Sequence, residues 1–249
     1  MPAQDFSGAV LVQDPFRWYQ HGSQLSDQGE YKAAIASFDR AISLDPKSTL
    51  AWHGRGLALG RMGQFEEAII NIGRALRLNP KDHKAWYNQG KAQLQLKRYR
   101  DAITSFGRVV EMQPRNHRAW YYLGRALAQV GQNQQALVSL NQALCIHPLY
   151  HAAITQYGLI LAKMGRYEDA IDSFNMLLKL KPDNAGAWYS KARCYALQED
   201  VEMAISCLQH LLRISPNLYL TMAQIDSNFN NIRETERFQC WMEDMKQMF

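Results

Sequence analysis

Residues 84–114 read KAWYNQGKAQLQLKRYRDAITSFGRVVEMQP, and the pattern of this stretch recurs along most of the chain. Its markers return every 34 residues without an insertion or a deletion. Proline stands at 46, 80, 114, 148, 182 and 216, and alanine stands at 34, 68, 102, 136, 170 and 204. Tryptophan stands at 18, 52, 86, 120 and 188, and glycine stands at 22, 56, 90, 124 and 158. Four residue types held in phase indicate a stacked array of one repeated unit.

The repeated unit is predicted to form a hairpin of two helices. Trp86 and Gly90 lie on one face of the first helix, because residues four positions apart share a face. Ala102 and Phe106 give the second helix its buried side, and the small glycine and alanine let the two backbones approach closely. Pro114 ends the pair because proline cannot continue a helix interior. One hairpin cannot bury its apolar face alone, so we expect six of them to stack.

This pattern resembles the tetratricopeptide repeat (TPR) family over Pro15 to Leu218. The resemblance implies an all-α fold, a right-handed superhelical solenoid of six TPR helix hairpins with a C-terminal capping helical segment. The predicted repeats are residues 15–48, 49–82, 83–116, 117–150, 151–184 and 185–218. Residues 1–14 are predicted to form a flexible lead, and residues 219–249 are predicted to form the capping helices.

Three repeats depart from the family pattern, since repeat four has Asn133 where an aromatic residue usually stands, Ile154 replaces tryptophan in repeat five and Ala192 replaces glycine in repeat six. We expect repeats five and six to pack a little differently from the others. The run DSNFNNIRETERFQ at residues 226–239 resembles the terminal segment found after bacterial repeats of this family. That likeness implies a bacterial protein, with cyanobacteria as one candidate source.

Composition and charge exclude several classes of protein. The net charge of +5 is mild for a nucleic-acid-binding chain. The four cysteines form no CxxC pair and no dense framework, so they are predicted to be reduced thiols. The N-terminus lacks a signal peptide, and no run approaches the roughly 18 apolar residues of a membrane span. The sequence predicts a cytoplasmic protein without membrane insertion.

No catalytic, metal or cofactor site is predicted. The acidic pair Glu66 and Glu67 lies in the first turn of a second helix, where it complements the helix dipole. His147 and His151 are four residues apart, but Pro148 places them at a helix junction rather than on one helical face. The chain is therefore predicted to be no enzyme and to need no cofactor.

The family resemblance implies that the first helix of each repeat lines a concave groove. The residues predicted to bind a partner there are Tyr19, His53, Arg61, Lys84, Tyr87, Asn88, Lys91, Arg118, Tyr121, Arg125, Tyr189 and Arg193. Repeat three carries seven Lys or Arg against two acids, and repeat four carries two Arg and no acid. An aromatic ladder flanked by cations favours a protein or peptide partner with acidic residues.

The leading hypothesis is a non-catalytic scaffold or assembly factor that binds its partner in this groove. One alternative is nucleic-acid binding by the basic centre, which predicts affinity that falls steeply with salt. Another is self-association through the amphipathic, Met-rich tail from Phe238 to Phe249. A third interpretation takes the cations as a solvated face that keeps the protein soluble. No clamp for a chaperone's C-terminal carboxylate is predicted, because the lysine, asparagine and arginine set used by some family members is incomplete.

Overall fold

A computed structural model of the protein describes residues 13–248, and these residues form helices without any strand. They divide into two compact units, one ending at Gly131 and the other beginning at Gln132. Of the predicted flexible lead, residues 1–12 lie outside the described part of the chain.

Unit one contains three helix hairpins and one further first helix. Its helices are α1 (Pro15–Asp27), α2 (Tyr31–Leu44), α3 (Thr49–Arg61), α4 (Phe65–Leu78), α5 (His83–Gln95), α6 (Tyr99–Met112) and α7 (His117–Gln129). Each odd-numbered helix is the first helix of a repeat, and each even-numbered helix is a second helix. Within the unit, α1, α3 and α5 pack against their own second helices, and α3, α5 and α7 pack against the second helix of the preceding repeat.

Unit two begins with a second helix and ends with the C-terminal segment. Its helices are α8 (Asn133–Ile146), α9 (His151–Lys163), α10 (Tyr167–Leu180), α11 (Ala185–Leu197), α12 (Val201–Leu212), α13 (Pro216–Ile225), a 3₁₀ turn (Ser227–Phe229), α14 (Asn230–Arg233) and α15 (Glu236–Met248). The pairs α9–α10 and α11–α12 form hairpins like those of unit one.

Side-chain caps begin most of the first helices. Asp14, Ser48, Asp82, Asn116 and Asn184 each accept a hydrogen bond from a backbone amide of the first turn. Such a cap satisfies an amide that has no partner within the helix. Repeat five has Tyr150 at this place and no side-chain cap, which is one physical difference of that repeat.

The repeated tryptophan has a hydrogen-bonding role that the sequence analysis missed. The indole Nε1 of Trp52, Trp86, Trp120 and Trp188 donates to the carbonyl of the proline six residues earlier, at 2.7–3.0 Å. Each bond therefore ties a first helix to the loop that precedes it. Ile154 has no donor for such a bond, so repeat five lacks this tie as well.

The repeated glycine makes room for a large side chain on the second helix. A Cβ added at Gly90 would lie 2.8 Å from the Phe106 ring, and one added at Gly158 would lie 2.9 Å from the Phe174 ring. In repeat six the second helix carries the smaller Leu208, and the glycine is replaced by Ala192. Ala192 therefore faces a smaller side chain than Gly90 does, although in repeat two a glycine, Gly56, stands opposite Ile72.

The C-terminal segment packs on repeat six. Phe229, Phe238 and Trp241 are buried in one apolar cluster with Leu208 and Leu211 of α12. At the surface, the Arg237 guanidinium donates to both carboxylate oxygens of Glu202, at 2.6 and 3.1 Å. Within unit two, α15 therefore covers the second helix of the last repeat.

Candidate functional site

In unit one, the first helices carry a large excess of positive charge and the second helices do not. The first helices α1, α3, α5 and α7 carry seven Lys or Arg and a single acid, Asp27. The second helices α2, α4 and α6 carry six Lys or Arg and five acids, so they are close to neutral. The charge of each whole repeat does not reveal this difference between its two helices. The positive charge of unit one belongs to its first helices.

Five exposed cations of these first helices are named here the basic face. They are Arg61, Lys84, Lys91, Arg118 and Arg125. None of the five pairs with a carboxylate among residues 13–248, whereas Arg55 of α3 is held by Asp39 at 2.6 Å and Arg108 of α6 is held by Glu111 at 3.1 Å. No carboxylate among the described residues neutralises these five positive charges, so they can attract a negatively charged ligand.

A pocket of about 330 Å³ lies beside the basic face, between α3, α4 and α5. Arg61 and Leu57 of α3 stand on one side of it, and Asn88 and Lys91 of α5 stand on the other. Ile72 of α4 contributes to its apolar lining. Three residues predicted from the sequence, Arg61, Asn88 and Lys91, are thus brought to one cavity.

His53 is buried and orients one wall of this pocket. The Asn88 Nδ2 lies 3.1 Å from His53 Nε2, and the Asp82 Oδ2 lies 3.3 Å from His53 Nδ1. The Asn88 side-chain amide donates a hydrogen bond to Nε2 of His53. The ring proton of neutral His53 is therefore on Nδ1, which donates a hydrogen bond to the Asp82 carboxylate. Burial lowers the pKa of His53, the charge of Lys84 lowers it further, and Asp82 opposes both. A neutral imidazole therefore holds Asn88 in place.

The aromatic residues of α5 and α7 form a connected group. The Tyr122 ring stacks on Phe106 at 5.4 Å and meets the Tyr87 ring edge-on at 5.8 Å. The Arg125 guanidinium lies 5.7 Å from the ring centres of both Tyr121 and Tyr122. Tyr122 was not among the predicted site residues, although its place next to Tyr121 on a first helix was an available signal. Tyr19 lies apart on α1, where its ring is 6.0 Å from Phe38.

The two predicted site residues of unit two contact the C-terminal segment. The Tyr189 hydroxyl donates to the Asp226 Oδ2 at 2.9 Å, and the Arg193 Nε lies 3.4 Å from the same oxygen. Only 8% of Tyr189 is exposed. These two side chains are therefore occupied by their own chain.

Among residues 13–248, no three His, Cys, Asp or Glu side chains gather as a metal site would require. No described helix is both long and apolar enough to cross a membrane.

Comparison with profiles of known families identifies the family to which the chain belongs. The tetratricopeptide repeat profile matches residues 87–150 and 157–218, which is half of the chain. The chain belongs to the tetratricopeptide repeat family. A second profile, that of subunit 3 of the anaphase-promoting complex (cyclosome), matches residues 27–109. The prediction of an all-helical TPR protein is confirmed, and the bacterial type stays a prediction.

Solved structures show the same fold. YrrB, described as a TPR protein with an unusual peptide-binding site, is 25% identical with a TM-score of 0.66, covering 76% of this chain and 98% of its own. PilF of Pseudomonas aeruginosa is 18% identical with a TM-score of 0.66, and the match covers 92% of this chain and 97% of PilF. MamA of Desulfovibrio magneticus is 20% identical with a TM-score of 0.66, and the match covers 70% of this chain and 98% of MamA. No curated protein matches the chain.

Proposed function

We propose that this TPR protein is a non-catalytic scaffold whose basic face binds a peptide or protein segment rich in Asp and Glu. The proposal rests on the difference in charge between the first and the second helices of unit one. Its first helices hold seven cations and one acid, and the five cations of the basic face have no carboxylate partner within residues 13–248. Such a surface attracts an acidic ligand and sets its register.

The surroundings of the basic face suit a polypeptide ligand. Arg and Tyr supply most of the binding energy of protein interfaces, and both residue types meet at Tyr121 and Arg125. The pocket between α3 and α5 combines apolar lining from Leu57 and Ile72 with a fixed amide, Asn88, so it fits one side chain of a bound segment. YrrB, a relative in fold at 25% identity, is described as having a peptide-binding site. We further place the protein in the cytoplasm as an assembly factor.

Selection from a random peptide library displayed on phage tests the proposal. The targets are the wild-type chain, a Lys91→Glu, Arg125→Glu variant of the basic face, and an Arg77→Glu, Arg100→Glu control. The control removes two exposed cations of the second helices α4 and α6, so it has the same net charge as the variant. Circular dichroism verifies that all three chains are folded.

The wild type and the control should enrich peptides rich in Asp and Glu, and the basic-face variant should not. Equal enrichment by all three chains, or selected peptides without an excess of acids, would overturn the proposal. Binding of a labelled single-stranded oligonucleotide at about 50 mM and about 200 mM salt distinguishes the nucleic-acid alternative. An oligonucleotide that displaces the selected peptides would favour that alternative instead.

A further inference from the structure

The pocket between α3, α4 and α5 is large enough for a bulky side chain. Leu57 of α3 and Phe65 and Ile72 of α4 contribute large apolar side chains to its lining. Its volume of about 330 Å³ lies near the lower end of the range of about 300–1,000 Å³ that is typical of ligand pockets. An aromatic ring placed there is removed from water and meets another ring, that of Phe65.

Polar side chains share this lining with the apolar ones. Arg61 of α3 and Lys91 of α5 are exposed, and neither pairs with a carboxylate among residues 13–248. Asn88 stands three residues before Lys91 on α5, so the two side chains lie on the same face of that helix. A side chain that enters the pocket therefore meets an amide and an ammonium group from one helix.

His53 determines which end of the Asn88 amide is left for the pocket. The Asn88 Nδ2 donates to the His53 Nε2 at 3.1 Å, and Asp82 holds the other ring nitrogen at 3.3 Å. His53 is buried outside the lining of the pocket, so the amide nitrogen is directed away from the cavity. The Asn88 Oδ1 accepts no hydrogen bond within residues 13–248. It is therefore an oriented acceptor that a ligand can use.

A hydroxyl group matches both polar groups of α5. It donates to an oxygen such as Asn88 Oδ1 and accepts from a cation such as Lys91, whereas an indole only donates and an ionised carboxylate only accepts. The hydroxyls of serine and threonine are carried on side chains too small to cover the apolar lining. Tyrosine is the residue that combines a hydroxyl with a large apolar ring.

We infer that this pocket binds a tyrosine side chain of the acidic partner segment. The phenol hydroxyl donates to the Asn88 Oδ1 and accepts from the Lys91 Nζ, and the ring packs on Leu57, Phe65 and Ile72. The inference rests on the proposed function and adds the residue that anchors the partner.

The two cations beside the pocket specify the residues around this tyrosine. Arg61 and Lys91 belong to different helices and stand on opposite sides of the cavity. A segment whose tyrosine enters the pocket passes between them, so acidic residues before and after the tyrosine each approach a positive charge. The ammonium group of Lys91 has three donors, enough for the phenol oxygen and a carboxylate together. The partner segment therefore carries Asp or Glu on both sides of its tyrosine.

Synthetic peptides that differ at one position test the inference on the full-length chain. The probe holds a tyrosine between two pairs of aspartates, and the matched peptides have phenylalanine, leucine, glutamate or alanine in its place. Dissociation constants are measured by calorimetry for the wild type, Asn88→Ala, Gly60→Leu and Gly107→Leu. Circular dichroism verifies that each variant is folded.

Gly60→Leu fills the pocket without crowding the helices. A Cβ at Gly60 would lie at an ordinary distance of 3.8 Å from Ala68, and the rest of the leucine extends from a position that lines the cavity. Leucine also favours a helix more than glycine does. Gly107→Leu is the matched control, because Gly107 lies on α6 outside this lining and a Cβ there would meet nothing within 4 Å.

The tyrosine peptide should bind the wild type most tightly, and nuclear Overhauser effects should connect its ring protons to the methyl groups of Leu57 and Ile72. The phenylalanine peptide should bind about two- to tenfold more weakly, as expected for the loss of one hydrogen bond, and the leucine and glutamate peptides should bind more weakly still. Asn88→Ala should remove the difference between tyrosine and phenylalanine. Gly60→Leu should reduce the tyrosine peptide to the affinity of the alanine peptide, and Gly107→Leu should change no dissociation constant.

Several outcomes would refute the tyrosine site while leaving the proposed function intact. The wild type could bind the tyrosine and phenylalanine peptides equally, or their difference could persist in Asn88→Ala. The glutamate peptide could bind most tightly, or Gly60→Leu could bind the tyrosine peptide as the wild type does. Loss of binding by every one of these acidic peptides, together with failure of the library selection, would instead refute the proposed function.

Discussion

At the scale of single residues, the turn inside each hairpin imposes a backbone conformation that favours glycine. The turn residue has a positive φ in every repeat, and it is glycine at 29, 63, 131 and 165. In repeats three and six the same place is taken by Lys97, at φ 56°, and by Glu199, at φ 63°. Because a Cβ makes this region unfavourable, these two residues are strained.

Replacing Lys97 with glycine should stabilise the protein. Relief of the left-handed strain is worth about 1–2 kcal/mol, and the added freedom of glycine in the unfolded chain removes part of that gain. We expect a net rise of about 0.5–1 kcal/mol in the free energy of unfolding, measured with urea. Lys97→Ala is the control, since it removes the charge and keeps the strain. An equal gain from both variants would contradict the explanation.

A second prediction at this scale concerns His53 and pH. Burial lowers the pKa of His53 in the folded protein, so below the ordinary value of 6.5 the unfolded chain binds more protons than the folded one. The stabilisation from neutral His53 is present in full above pH 6.5 and is lost as the pH falls through the folded-state pKa. The unfolding free energy of the wild type relative to His53→Gln should therefore shrink between about pH 8 and about pH 5. A difference that stays constant over this range would rule out the linkage.

At the scale of helices, the close approach of the two helices of a hairpin limits which residue the first helix can carry. Gly90 faces Phe106, whereas Ala192 shares its cluster with the smaller Leu208. The two positions of a hairpin are therefore coupled, and the departure in repeat six keeps the helices packed.

This coupling predicts a rescue within repeat three. Gly90→Ala should cost about 1–3 kcal/mol because its Cβ meets the Phe106 ring at 2.8 Å. In a chain that already carries Phe106→Leu, the same Gly90→Ala change should cost clearly less, because the pair then matches repeat six. Urea unfolding of the two single variants and the double variant measures the coupling. Additive costs would show that the close approach is not the reason for glycine.

At the scale of the whole molecule, contacts run mainly between neighbours in the sequence. Each described hairpin packs on the next helix along the chain, and the C-terminal segment packs on α11 and α12. In such an array the stability is a sum of local units and nearest-neighbour interfaces. A change at one end is therefore expected to act near that end.

Trp241→Ala tests this local behaviour. Trp241 is 3% exposed in the cluster that joins α15 to α12, so its truncation should cost unit two about 3–5 kcal/mol. Amide hydrogen exchange should speed up in α11, α12 and the C-terminal segment, with little change in α1–α4. Arg237→Gln, which removes only an exposed ion pair with Glu202, is the matched control and should have little effect. Uniform acceleration in all helices would show that the chain unfolds as one unit.

The period of 34 residues alone determined the all-helical fold, because it specifies where each helix begins, which face is apolar and where each hairpin ends. The family resemblance pointed to Arg61, Asn88 and Lys91, which the structure brings to one pocket. Neither the period nor the resemblance could show that Trp86 bonds to a proline carbonyl, since that bond depends on the path of a loop.

Only the tertiary structure separated residues that are equivalent in the repeat. Tyr121 and Tyr189 hold the same repeat position, yet Tyr189 is buried and bonded to Asp226 of the C-terminal segment, whereas Tyr121 is half-buried beside the Arg125 guanidinium. His53 holds this position too, but Asp82 and Asn88 surround it and make it part of the framework. A periodic sequence specifies the backbone that its repeats share. The neighbours that decide burial and charge differ from repeat to repeat, and they become known only when the chain is packed.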